Sequence, residues 1–308
     1  MNTIKVDDSS FFYLCSSKTK IMKIRNIITT IGVLLVTTTA FPQSLLWRVS
    51  GKDMKSQSYL YGTIHIQDRR VFAFDSAVWR CFDGCDAIAV ELLLDQIDFK
   101  AVREKMYMPE GLSLAKLLSK DEYRILDSLC KAKLGAGALF FSGMKPFFLM
   151  SAIQQADLPK DEPLPLDMFL LKKARDKGMV CHGLEDYMEQ VKAVDAIRID
   201  DQLDILRQVL HAEQDLAVSF DSLVLLYLDF NMEKIAEMMD DPTLPDNFNK
   251  SLVEKRNKVM LKGFRKIARK ENVFCAVGCA HLIGNTGLIA QLRKRGYVVE
   301  PVPMRWIE

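Results

Sequence analysis

The sequence carries no surplus of either charge. Its 308 residues hold 42 Lys and Arg against 40 Asp and Glu, a formal +2. Nucleic-acid-binding proteins usually present a basic excess or patch, so the balance argues against a nucleic-acid partner. Several catalytic signatures are also missing. There is no Gly-x-Ser-x-Gly elbow, no His-Glu-x-x-His helix, no P-loop and no Gly-x-Gly-x-x-Gly turn, so the chemistries those motifs carry are not written in their usual form. No Cys-x-x-Cys pair and no zinc-ribbon spacing occur among the cysteines. Histidine is scarce, at four residues, and no repeat of fixed period is present. What remains is 49% hydrophobic and 27% charged. That is too apolar for disorder, and long enough for one large domain or two modest ones around a substantial core.

Residues 1–43 read as a secretory leader. Lys18, Lys20, Lys23 and Arg25 precede an apolar run from Ile27 to Phe41, and Thr38-Thr39-Ala40 supplies a small-residue exit. A basic region, a short apolar region and such an exit are the three parts of a signal peptide. The run is about 15 residues, shorter than the roughly 20 that a bilayer-spanning helix requires; an uncleaved anchor is the other reading. Met22 is a second candidate start. The processed chain is expected to be periplasmic or secreted, with no stable membrane span. Its charge falls from +2 to −1, because residues 1–43 hold five basic and two acidic side chains. Export opens Cys81, Cys85, Cys130, Cys181, Cys275 and Cys279 to disulfide formation, against the plainer reading of small buried thiols with or without one bridge.

Short apolar runs at 45–49 and 58–65 predict a strand pair opening a sheet. Asp86 to Leu93 is a run that is apolar apart from its first residue and Glu91, as for a strand covered on both faces. Helices are expected over 71–84, 95–106, 112–134 with a capping box from Ser119 to Glu122, 144–156 starting near Pro146, and 167–177 ended by Gly178. The three prolines of 157–166 mark a connection. Further strands are expected at 179–185, 273–278 and 297–302, with a short helix at 284–295. Residues 187–239 read as helical almost throughout, residues 240–246 break the pattern, and 248–270 resumes as a long helix. The pattern predicts an α/β fold, or α+β, spanning 44–308 as one domain: a mixed sheet core from the N- and C-terminal strand–helix units, with a large central helical insertion.

Two turns repeat a pattern: Gly62-Thr63-Ile64-His65 and Gly278-Cys279-Ala280-His281. Each follows apolar strand residues. A glycine there lets the backbone turn or approach a neighbour closely, and the imidazole three residues on can project from the sheet's carboxyl edge, where open α/β sheets place ligands. Strand order is not legible in the sequence, so either the histidines share a site or each is satisfied separately. Glu91 interrupts an otherwise apolar strand. A buried carboxylate has to be ion-paired, hydrogen-bonded or metal-bound. Two imidazoles and a carboxylate suit a transition metal with open positions; a strand-end Glu reaching solvent, or a structural pair with Arg or Lys, is the alternative.

These residues sit in a longer series: YLYGTIH at 59–65, AIAVEL with Glu91, LPLD ending at Asp167, HGLE with Glu185, Glu189-Gln190, VEKRN with Arg256 and Asn257, and residues 277–302. In this order and spacing the chain resembles the TraB/GumN family, relatives of the Tiki-type metalloproteases. The resemblance covers nearly all of 44–308, and its last segment is the most specific. It departs at Cys279, where a small Ala-like residue is expected. It implies a single domain whose paired Gly-x-x-His motifs and a glutamate form an active site. In Tiki-like relatives the activity is metal-dependent peptide-bond hydrolysis, while many bacterial members have no established activity.

Carried over residue by residue, the resemblance implies His65, His281 and Glu91 around one divalent metal (Mn, Co or Zn). Glu91 either completes the ligand set or takes a proton from water. Arg256 would stabilise negative charge on an oxyanion or a substrate carboxylate. Gly62, Gly278, Glu185 and Asn257 are candidates for the surrounding shell. Simpler readings stand beside these: a solvated helix face for Arg256 and Asn257, an N-cap for Asp167, an N-cap neighbour for Glu185, a strand-face residue for His182, an exposed residue for His211. A Cys279–His281 thiol nucleophile is a separate chemistry. The leading expectation is an exported metal-dependent peptidase acting on peptides or proteins. The alternatives are a non-catalytic peptide- or ligand-binding envelope protein on the same fold, and a structural envelope partner using helices 187–239. The oligomeric state is not legible.

Overall fold

A computed structural model of the chain describes residues 44–307 apart from 94, 96–97, 212–215, 240–243 and 246; the leader expected at 1–43 lies outside these residues. Strands β1 (Leu46–Ser50), β2 (Ser58–Thr63), β3 (Ala87–Val90), β4 (Val180–Gly183), β5 (Val273–Gly278) and β6 (Val298–Pro301) form one sheet in the order β4-β3-β5-β2-β1-β6. The first four in that order run parallel, and β1 is antiparallel to both β2 and β6. Parallel strands covered on both faces require near-continuous apolar sequence, and every residue of β3 is buried, as is β5 up to Val277. The mixed α/β architecture is the expected one. The two Gly-x-x-His strands are neighbours, with Thr63 opposite Gly278.

Helix α1 (Ser76–Asp83) joins β2 to β3. Helices α2 (Phe99–Lys105), α3 (Leu114–Leu117), α4 (Lys120–Leu134), α5 (Pro146–Ala156) and α6 (Leu166–Asp176) lie between β3 and β4. Helices α7 (Tyr187–Asp195), α8 (Ile199–His211), α9 (Leu216–Leu228), α10 (Met232–Met239) and α11 (Lys255–Ala268) separate β4 from β5, and α12 (Leu288–Arg293) precedes β6. The capping box of α4 forms as expected: Ser119 Oγ accepts from Glu122 N–H, and Glu122 Oε2 accepts from Ser119 N–H at 2.7 Å. The stretch 187–270 is divided between two cores rather than packed as one block. Val224, Tyr227, Ile235, Met260 and Phe264 join the sheet core. Leu203, Leu206 and Leu210 of α8 instead pack with Leu126, Cys130, Leu149 and Ile153 of α4 and α5. Helical periodicity marks an apolar face without saying what it meets.

Helix α11 matters most for the site. A π-helical turn, Lys250–Glu254, leads into it; such turns shift the phase of the residues that follow. Asn257, Met260, Leu261, Phe264, Ile267 and Ala268 are then buried. At Gly263 the helix backbone comes so close to the β4 exit that a Cβ would lie 2.9 Å from the Leu184 carbonyl oxygen. The six cysteines among the described residues are free thiols. No helix among the described residues is long and apolar enough to cross a membrane.

Gly263→Ala tests this contact through its sign. In an open helix the change would stabilise by about 1 kcal/mol. Here it should destabilise by about 1–3 kcal/mol in urea titrations, as overpacking does; a stabilised variant would contradict the close approach.

Candidate active site

Four parallel strands deliver four chain segments to one sheet edge. Beyond β3 and β4 the ladder continues, with Leu184 N–H donating to the Val90 carbonyl (2.9 Å) and Glu185 N–H to the Glu91 carbonyl (3.2 Å). Glu91 and Glu185 therefore leave the sheet side by side. On the other flank of β3, Gly278 N–H at the end of β5 donates to Glu91 Oε1 at 2.7 Å. The turn Cys279–His281 follows β5, and His65 follows β2. This is the carboxyl edge at which open α/β sheets bind ligands.

Both imidazoles face the same carboxylate oxygen. His65 Nε2 lies 3.6 Å and His281 Nε2 3.8 Å from Glu91 Oε1, beyond hydrogen-bonding range. The other nitrogen of each ring is held from behind. His281 Nδ1–H donates to Asn257 Oδ1 at 2.7 Å. Asn257 Nδ2 donates to the Thr286 carbonyl at 3.0 Å, which fixes the amide orientation and so the ring tautomer. His65 Nδ1 stands 3.0 Å from Asp167 Oδ1, an oxygen that is buried and has no hydrogen-bond partner otherwise. Such partners are what orient metal-binding histidines. His281 is buried, whereas the His65 side chain is 55% exposed and opens the site to solvent.

The two glycines of the repeated pattern do different work. A Cβ on Gly278 would sit 3.2 Å from Glu91 Oε1 and 3.6 Å from His65 Nε2, filling the space among the three side chains. A Cβ on Gly62 would instead meet Cys279 Cβ and Leu282 Cδ1 at 3.1 Å, so that glycine lets the His281 turn pack onto β2. Tyr227 OH donates to the Gly62 carbonyl at 2.8 Å and ties α9 to the same strand.

Arg256 binds the carboxylates together. Its Nη2 donates to Glu91 Oε2 at 2.6 Å and to Glu185 Oε1, and its Nε donates to Glu185 at 3.0 and 3.2 Å. Nη1 donates to the Leu252 carbonyl at 3.2 Å, and Gln190 Nε2 donates to Glu185 Oε1 at 2.9 Å. Burial would raise the pKa of Glu91, but His281, His65 and Arg256 hold it well below the usual carboxylate range. Burial raises that of Glu185 despite Arg256. Desolvation lowers the His65 pKa, yet Asp167 and Glu91 outweigh it and leave the ring well above 6.5, while burial takes His281 down to about 4.

A profile of the TraB/PrgY/gumN family matches residues 45–301. The chain belongs to the TraB/PrgY/gumN family. Among curated proteins it is similar to Metalloprotease TIKI2 of Danio rerio, 24% identical over 316 residues that cover 84% of this chain and 61% of that protein. It is also similar to Metalloprotease TIKI2 of Xenopus tropicalis (25% over 317 residues; 84% and 60%) and to Metalloprotease TIKI1 of Homo sapiens (22% over 317 residues; 84% and 62%). The chain thus spans about three-fifths of the length of these relatives. No solved structure matches it.

In this TraB/PrgY/gumN chain the residues singled out in the sequence do meet: Gly62, His65, Glu91, Glu185, Arg256, Asn257, Gly278 and His281 all border one sheet edge. Several readings change. Arg256 and Asn257 are not a solvated helix face, since the Arg256 side chain is 13% exposed and Asn257 is fully buried. The Nε–Nη2 edge of Arg256 is hydrogen-bonded to two carboxylates and its Nη1 to the Leu252 carbonyl. Asn257 acts as an acceptor towards His281 as well as a donor. Asp167 is not an N-cap: α6 starts a residue earlier, at Leu166, with Pro165 in the cap position. That frees Asp167 for His65; its place in the LPLD segment was the signal in the sequence. Cys279 is buried, and burial pushes its thiol up to about 12, which disfavours the thiolate that a nucleophile needs. His182 pairs with Glu271 at 3.0 Å, and His211 is exposed.

The metal set fits in kind but is not closed. Among the described residues no three His, Cys, Asp or Glu side chains form a ready cage, and Glu91 gives one of its oxygens to Arg256. The donor chemistry is nonetheless that of a cation site: two Nε2 atoms aimed at one carboxylate oxygen beside a bare glycine. Three contacting carboxylates (Glu91, Glu185, Asp167) against one guanidinium leave two surplus negative charges, which is what one divalent cation with neutral imidazoles would neutralise.

Arg256→Met should destabilise the protein by about 3–5 kcal/mol by stranding buried carboxylates. The loss should be smaller at pH 5 than at pH 8, because Glu185, whose folded-state pKa is already raised, then takes up a proton. Urea unfolding at both pH values measures this; a loss under about 1 kcal/mol at pH 8 would contradict the network.

Proposed function

We propose that the protein is an exported metal-dependent hydrolase that cleaves peptide bonds. The observation that supports it is the approach of His65 Nε2 and His281 Nε2 to one oxygen of Glu91. Export rests on the basic, apolar and small-residue pattern within residues 18–40. The peptidase reading draws on relatives named metalloproteases.

His65 and His281 would hold the metal through Nε2, with Glu91 Oε1 as the third donor. A divalent cation held there supplies Lewis acidity, lowering the pKa of water and polarising a carbonyl. The chain does the rest. Asp167 and Asn257 hold the rings with Nε2 turned into the site. Gly278 keeps the space open and anchors Glu91 Oε1 through its N–H. Arg256 holds Oε2 and stops the carboxylate from rotating away, which keeps Oε1 turned towards both imidazoles. Exposed His65 leaves a route for an extended peptide, while buried His281 and Asn257 close the inner wall to water. The ion pair of Glu91 with Arg256 also favours a second reading, a peptide-binding protein that holds its ligand without turnover.

Protein stripped of metal and resupplied with Mn, Co or Zn should cleave members of a mixed peptide library, and His65→Ala/His281→Ala should reduce cleavage to background. Asn257→Leu should weaken metal affinity by about 10–100-fold. Cleavage that survives the double substitution would remove the mechanism; tight, chelator-insensitive peptide binding with no cleavage under any of the three metals would establish the second reading.

A further inference from the structure

We propose that the exposed face of α11 is a docking surface for an anionic phospholipid membrane. Lys255–Ala268 contains six Lys or Arg residues and no Asp or Glu, and Arg269 and Lys270 continue the run. Lys255, Lys258, Lys262, Lys266 and Arg269 are all exposed. They recur every three or four residues and so form one stripe, about 21 Å long at the usual helical rise. The overall balance of +2 conceals this local excess.

Like charges at this spacing repel one another along a helix; Glu185, Asp186 and Glu189 share a hollow with Lys258 and Lys262, but none of the three forms an ion pair with either lysine. Arg265 donates to Tyr297 OH at 2.9 Å, and Arg269 pairs with Asp53 at 2.7 Å. Lys255, Lys258, Lys262 and Lys266 have no ion pair among the described residues, and Arg295 adds a further cation to the same hollow. An anionic surface would supply the missing counter-charge.

The chemistry of the stripe selects the kind of surface. Its unpaired cations are lysines, mobile point charges that suit a diffuse field of headgroups; the forked guanidiniums that grip individual phosphates are partly engaged elsewhere. No aromatic side chain stands among the lysines to stack on a base, and no large apolar one to anchor a protein partner. The inference is independent of the hydrolase reading. It places the membrane along a helix whose first turn carries Arg256 and Asn257.

The test compares the full chain with its Lys258→Gln/Lys262→Gln/Lys266→Gln variant in flotation with phosphatidylcholine vesicles containing phosphatidylglycerol, and with pure phosphatidylcholine vesicles. At about five-fold per lysine, binding to the anionic vesicles should fall about 100-fold in the variant, and wild-type binding should weaken with added salt. Binding to neutral vesicles, which reports any contribution from residues 1–43, should be the same for both. The triple Lys→Arg variant should bind like wild type, which separates charge from misfolding. Equal anionic-vesicle binding by wild type and the Gln variant would overturn the proposal. So would a wild type indifferent to phosphatidylglycerol, or lysine-dependent binding of a short DNA duplex that exceeds binding to the vesicles.

Discussion

The fold around the site depends on two carboxylates buried at adjacent strand ends and the one guanidinium that makes their burial tolerable. Glu91 and Glu185 emerge side by side because β3 and β4 are parallel neighbours whose ladder runs past the last strand residue. Removed from water without a partner, each charge would cost several kcal/mol. Arg256 hydrogen-bonds both with its single charge, from a helix that lies close to the β4 exit at Gly263 and is entered through a π-helical turn. Helix position, strand pairing and the charge state of the site are thus one constraint.

That constraint leaves an imbalance. Arg256 compensates one of three carboxylates, and the rest of the negative charge points at a space bordered by two imidazoles. A divalent cation would answer all of it, with both rings neutral and held from behind by Asp167 and Asn257. In that arrangement Arg256 holds one oxygen of Glu91 while the other faces both imidazoles. How far Glu91 yields to a cation separates a hydrolase from a protein that only binds its ligand.

Much of this was legible in the sequence. Continuous apolar runs announced β3 and β5, the spacing from Ser119 to Glu122 announced the start of α4, and a glutamate in an apolar strand announced a charge in need of partners. The adjacency of β2 and β5 was not legible, because pairing between strands more than two hundred residues apart leaves no local pattern. Asp167 after Pro165 looked like a cap, since Asp at a helix start is far more often a cap than an imidazole's partner; only the true start at Leu166 shows otherwise. The Glu254 to Lys258 stretch looked solvated because residue type does not say which side of α11 meets the sheet. The division of the helices between two cores was hidden for the same reason, and the basic stripe of α11 vanished into a balanced total.

Cobalt binding followed by equilibrium dialysis and visible absorption tests the central claim most directly. The account predicts one Co(II) per chain at the His65–His281 pair, with a ligand-field spectrum that is lost on either His65→Ala or His281→Ala. An unchanged stoichiometry and spectrum in both variants would contradict it.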